Sequence, residues 1–322
     1  MIRTVLGDID ASQLGVCYAH EHIIIDRGYT TERYPEFAID SVENACLELE
    51  SFHRIGGRAM VDSMPCDSGR NVLKLAEVSK RTGVHIVAPT GLHLPQYYPQ
   101  GHWGERLDTE QLADLFVADI EDGIDANDYG GPDVQRTPHR AGVIKIASGL
   151  NEIDSRAQHI FDAAAIAHLR TGAPILTHTE GGTAALKQVE RLLSAGVHLE
   201  HVVLSHTDRR PDLSYHQEIL SSGVKLEYDS AFRWKPEAGN PTLTLVVEMF
   251  AAGFGSQILL GMDAARRSYW KSYGGAPGLN YLLETFVPML RASGLTETDI
   301  ESILVTNPAR AYSFPSGDPK SP

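Results

Sequence analysis

Cysteine is scarce. Cys17, Cys46 and Cys66 stand far apart and outside any C-x-x-C spacing, which argues against a disulfide-stapled scaffold or a cysteine zinc knuckle and fits reduced thiols. Positive charge is also short: 28 Lys and Arg face 42 Asp and Glu, a formal net charge of -14. No basic run interrupts that balance, so a nucleic-acid surface, which needs clustered Lys and Arg, is not expected. Long apolar runs are missing too. No segment approaches the roughly 20 residues that span a bilayer, and the opening MIRTVLGDIDASQLG has no stretch of signal-peptide length. The expectation is a soluble cytoplasmic protein with neither a membrane nor a nucleic-acid partner.

What is present is enough apolar material for a large core, 42% of 322 residues, in a pattern that repeats. Short β-branched runs fall at 15–25, 58–64, 84–89, 141–147, 174–179, 202–206, 224–228 and 258–263. Stretches of helical period separate them, for example 42–55, 71–82, 110–124, 156–171, 184–195, 243–252 and 279–292. Eight βα units of this kind predict an α/β fold, either a closed (β/α)8 barrel or a wide doubly wound sheet, and spacing alone does not separate the two. A barrel places residues 1–312 in one domain, and the Ser, Gly and Pro content of 313–322 predicts a frayed tail. Two long loops are expected on opposite faces, 94–108 on the active face and 125–140 on the other.

The chemistry sits at strand ends. His20 and His22 are two apart in an apolar strand, so both imidazoles point to one face and can grip one ion. His178, His206 and Asp263 each close a later strand, where a barrel builds its site. Lys145 lies inside the strand Val143-Ile144-Lys145-Ile146-Ala147, where an ammonium is costly to bury. Two readings stand level at that point: a lysine paired with a barrel carboxylate such as Asp62 or Glu227, or a neutral amine that takes up carbon dioxide to give an anionic carbamate. Of the remaining histidines, His93 and His102 fall in the loop after the third strand, where contact with substrate is one reading and solvent exposure the simpler expectation. Cys66 follows the second strand with no base beside it and receives no nucleophilic role.

The stretches AHEHIIID, VIKIASG, PILTHTE, VVLSHTD, LLGMDAAR and VTNPARAYSF, in this order, resemble the phosphotriesterase family of the amidohydrolase superfamily over nearly the whole chain. The resemblance implies a TIM barrel holding two divalent metal ions. His20, His22 and Asp263 would bind the more buried one, His178 and His206 the more exposed one, and a carbamate on Lys145 would bridge them. Zinc is the first expectation, with Mn, Co and Fe also suited to nitrogen and oxygen donors. Asp263 is the expected catalytic proton carrier. The resemblance is also compatible with a homodimer.

The family divides among lactones, organophosphates and some amides, so the loops must choose. Phe232-Arg233-Trp234-Lys235 follows the seventh strand and Arg266-Arg267-Ser268-Tyr269 follows the eighth, a cation-rich mouth on an acidic chain that suits an anionic small molecule. Lys235, Arg266 and Tyr269 are similar in placement to the phosphate-gripping residues of the branch that hydrolyses phosphorylated sugar lactones. A lactonase acting on a sugar lactone bearing a phosphate is therefore the leading expectation. An organophosphate triesterase, whose pocket should be mainly apolar, is second. A catalytically silent metabolite-binding barrel is the reading from another class.

Overall fold

The computed structural model describes residues 1–235 and 239–315. Eight parallel strands follow in chain order: β1 (Cys17–Glu21), β2 (Ala59–Asp62), β3 (His85–Val87, resuming as Pro89–Gly91), β4 (Val143–Ser148), β5 (Ile175–Thr179), β6 (Val202–Ser205), β7 (Lys225–Tyr228) and β8 (Ile258–Leu260). Each pairs in parallel with its successor, and the two halves of β3 link the first three strands to the rest. The last strand returns to the first. Asp263 N donates to His20 O at 3.1 Å, and the Glu21 carboxylate accepts from Met262 N at 2.7 Å and Ala264 N at 3.2 Å. The result is a single (β/α)8 barrel. No helix among the described residues is long and apolar enough to cross a membrane.

Helices Val42–Arg54, Val72–Thr82, Thr109–Glu121, Ser155–Thr171, Ala185–Ser194, Leu213–Leu220 and Pro241–Ala251 surround the strands. Six of these seven start where a Ser, Asn or Asp side chain accepts a first-turn N–H: Ser41, Asn71, Asp108, Asp154, Asp212 and Asn240. Their apolar faces bury the outward strand residues, including Tyr18, Met60, Ile144, Ile146, Ile175, Leu204 and Leu226. The alternate residues Cys17, Ala19, Ala59, Val61, Val87, Val143, Leu176, Val203 and Leu259 fill the barrel interior. Ile2, Leu14 and Tyr312 belong to the same cluster and close it from below.

Two expectations are corrected here. The loop 125–140 does not lie wholly on the face away from the site. Its end is held there, His139 Nδ1 meeting Val5 O at 2.6 Å, but Asp128 accepts from Asp67 N and Arg70 Nε, both at 2.8 Å, and the Tyr129 ring lies 5.4 Å from that of Trp103. The fully buried Arg70 guanidinium needs anions, and Asp128 together with Asp119, 2.9 Å from its Nη1, supplies them, so the loop climbs the barrel wall. Ser313 and Phe314, placed in the expected frayed tail, are also tied to the barrel. Ser313 bridges to Ile2, and the buried Phe314 donates its N–H to Met1 O at 2.9 Å. The rest of that segment, 316–322, lies outside the described residues.

Candidate active site

Interior alternation carries two key side chains inward without special geometry: Lys145 continues the series from Val143, and His178 the series from Leu176. The others need a local device. The β1–β2 register shifts between Tyr18 and Glu21, and past the shift the inward positions are His20 and His22 rather than the odd-numbered residues. His206 follows the outward-facing Leu204, and a left-handed backbone (φ 65°) turns it into the mouth; Asp263 also takes a left-handed turn, at φ 46°. Such conformations cost about 1–3 kcal/mol each in non-glycine residues and gather at functional sites. Gly261 lets β8 close in, because a Cβ there would stand 2.7 Å from both Glu227 Oε1 and His20 O.

The five side chains His20, His22, His178, His206 and Asp263 line one cavity of about 420 Å³. The imidazoles of His20 and His206 lie 4.6 Å apart, and those of His178 and His206 4.5 Å apart. Asp263 Oδ1 is 3.0 Å from His22 Nε2 and 3.7 Å from His20 Nε2. Outer partners fix the rings: His20 Nδ1 bonds Ser205 Oγ at 2.8 Å, His206 Nδ1 donates to Asp229 Oδ2, and His178 Nε2 pairs with Glu180 Oε2 at 2.9 Å. Among the described residues the other nitrogen of each of these three rings makes no hydrogen bond, as in metal-binding imidazoles held by outer hydrogen bonds. A larger groove of about 680 Å³ between helices Ser155–Thr171 and Ala185–Ser194 has no such convergence, only surface groups of mixed charge such as Asp162 and Lys187.

Lys145 is fully buried, and among the described residues its Nζ has no hydrogen-bond partner. Asp62 does not pair with it, since that carboxylate accepts from Ile23 N at 2.8 Å and Met64 N at 3.0 Å. Both Glu227 oxygens also lack hydrogen bonds among the described residues. Burial pulls the Lys145 amine down to about 7, against the opposing pull of Asp263, Glu227 and Asp229. Burial likewise lowers His20, His178 and His206, helped by neighbouring cationic and imidazole groups. Burial alone would raise the Asp263 carboxyl, but the His22 bond and the guanidiniums of Arg233 and Arg209 hold it well below the usual carboxylate range.

These three histidines make a pH prediction with a definite sign. In the unfolded chain they take up protons near pH 6.5, whereas in the folded chain burial keeps them neutral to lower pH. The stability they contribute is complete above about pH 6.5 and is lost as pH falls toward their depressed values. Melting of the metal-free protein between about pH 7 and 5 should show a falling Tm; a flat profile would contradict the burial assigned to them.

Of the expected substrate contacts, Arg266 and Tyr269 line the cavity and Lys235 does not. Lys235 is exposed; the inward place on that loop belongs to Arg233, drawn in by the Asp263 carboxylate, with Nη2 3.1 Å from Oδ2. Arg209 Nη2 reaches the same oxygen at 2.7 Å. Arg233 belongs to the cation-rich mouth expected after the seventh strand, though not to its phosphate-gripping residues, whereas Arg209 carries no expectation despite being a cation three residues after His206. His93 and His102 are not solvated as expected but buried. His102 bonds Asp67 at 3.0 Å and is structural, whereas His93 lines the cavity. Cys66 is fully buried beside Thr90 and Asp119, and burial pushes its thiol far up, so it remains an inert thiol.

The phosphotriesterase family matches residues 1–312. A phospho-furanose lactonase of Mycoplasmopsis synoviae is 33% identical over 322 residues, covering 97% of this chain and 91% of the relative. A lactonase crystal structure from Listeria monocytogenes superposes with a TM-score of 0.89 at 32% identity, covering 98% of this chain and 99% of that one. The phosphotriesterase homology protein of Escherichia coli, solved with phosphate in its active site, gives a TM-score of 0.84 at 29% identity and covers 94% and 99%.

Proposed function

Because the chain belongs to the phosphotriesterase family, a metal-dependent family of ester-hydrolysing enzymes, we propose that it hydrolyses a sugar lactone bearing a phosphate. His20, His22, His178, His206, Asp263 and a carbamate on Lys145 would hold two divalent ions, zinc by default. The observation that carries this reading is one cavity whose lining brings four imidazoles and a carboxylate together with Arg233, Arg266 and Tyr269. Relatives bearing the phospho-furanose lactonase name support it.

The donor set fits a metal pair. Two dications in a buried site need anions, and Asp263 is the one carboxylate among the five ligand candidates, so an ammonium at Lys145 would repel both ions while a carbamate would bridge them. Bound ions of this kind supply a hydroxide near neutral pH and an electrophile for the carbonyl oxygen. The protein's part is positional. Arg209 and Arg233 hold Oδ2 of Asp263, which leaves Oδ1 facing His20 and His22. Asp263 takes the proton released as the oxygen of water joins the carbonyl carbon and returns it to the ring oxygen as that C–O bond opens.

Arg266, 5.7 Å over the Phe37 ring and near Tyr269, is set to pair with the phosphate. In a screen of aldonolactones with and without phosphate, Arg266→Ala should lower kcat/KM for phosphorylated lactones by about tenfold or more, the scale of one charge-assisted bond, and leave neutral lactones nearly unaffected. Equal losses on both would remove the phosphate assignment. The organophosphate reading has support in a 25% identical aryldialkylphosphatase of Saccharolobus solfataricus, but three arginines lining the cavity disfavour a neutral, bulky triester.

A further inference from the structure

We infer that His93 is a further catalytic residue, a neutral imidazole whose Nε2–H donates to the carbonyl oxygen of the lactone as negative charge builds there. The inference rests on the lactonase reading above and adds a residue to it. Every other polar atom of His93 is engaged. Its backbone N–H donates to Tyr98 Oη at 2.8 Å, its carbonyl accepts from Arg156 Nη1 at 2.9 Å, and its Nδ1 accepts from Leu94 N–H at 2.7 Å. A ring nitrogen that accepts carries no proton, so the neutral ring has its hydrogen on Nε2. Among the described residues Nε2 has no hydrogen-bond partner, and the ring lines the cavity, 5.0 Å from the His178 ring and edge-on to Tyr97 at 4.5 Å.

The same bond keeps His93 out of the metal set. Ligation through Nε2 would move the proton to Nδ1 and strand the buried N–H of Leu94, a loss no neighbour offsets. The Leu94 N–H at Nδ1 also leaves no place there for a second proton, so the ring is a neutral Nε2–H donor. In the reaction the oxygen of water joins the carbonyl carbon while the carbonyl π pair moves onto oxygen, where the His93 N–H meets it. That pair then re-forms the double bond, the ring C–O bond breaks, and the ring oxygen takes the proton from water. His93 keeps its own proton throughout. A rigid donor aimed at the oxygen that gains charge stabilises the transition state more than the bound substrate.

The test uses the metal-loaded full chain with the lactone that the wild type hydrolyses best. His93→Phe should lower kcat by about 100-fold, as loss of one such donor does, with KM and metal content little changed. His93→Gln, whose amide N–H reaches toward the Nε2 position, should recover most of the loss. Nitrogen-15 NMR of the histidine-labelled wild type should assign His93 as the Nε2–H tautomer. Full kcat in the Phe variant, a Gln variant no better than Phe, loss of metal from the Phe variant, or an Nδ1–H tautomer would each overturn the inference. A wild type inert on every lactone would sink the functional reading and this inference together; a wild type active on lactones with an equally fast Phe variant would sink the inference alone.

Discussion

Lys145→Met should lose most of its bound metal and on the order of 1,000-fold in kcat, the scale lost with a preorganised charge-stabilising group, yet fold at least as stably as the wild type when metal-free. The second half of that expectation makes it specific. Nζ sits wholly inside the barrel without a hydrogen-bond partner among the described residues, so in the metal-free chain the amine is a buried polar group left unbonded, and an apolar side chain of similar shape removes that cost. A lysine that merely held the barrel together through Glu227 would give the opposite result, a lower Tm in the metal-free variant. Metal analysis, turnover and melting of the metal-free proteins decide between the two.

Asp263→Asn should fold normally and lose nearly all turnover, again by about 1,000-fold or more. The amide preserves shape but can neither carry the proton nor balance the two guanidiniums at Oδ2. Those arginines would then face each other beside Asp229 with less negative charge between them, so the variant should also bind metal more weakly than the wild type. Steady-state rates on the best lactone, with metal content measured alongside, test this. Full retained activity would remove Asp263 from the chemistry.

The residues that alternation makes legible are those the barrel carries inward by parity. Lys145 follows Val143 and His178 follows Leu176, and a period-2 reading of each strand finds them directly. His20 and His22 were legible as a pair because their spacing puts them on one face, but which face depended on a register shift in β1 that no residue type announces. His206 lies on the outward series of β6 and enters the site through a left-handed backbone, a conformation that sequence hints at only weakly when the residue is not glycine. The eight strands and most of the helices were legible because β-branched runs and helical periodicity are local signals.

What the sequence did not disclose depends on contacts across loops. The inward turn of Arg233 in place of Lys235 follows from the carboxylates of Asp229 and Asp263 meeting beyond β7 and β8. The burial of His93 follows from Tyr98, Arg156 and Leu94 folding around it. The climb of loop 125–140 follows from the anion requirement of buried Arg70. Each is a charge or hydrogen-bond balance settled mostly between segments five or more residues apart, the exceptions being Asp229 with Arg233 and His93 with Leu94, and periodicity carries no record of such balances.

Anomalous diffraction from crystals grown with zinc, collected at the metal edge, tests the central claim most directly. The account predicts two metal peaks per chain among His20, His22, His178, His206 and Asp263, joined by extra density on Nζ of Lys145. A single peak beside an unmodified Lys145 turned toward Glu227 would contradict it.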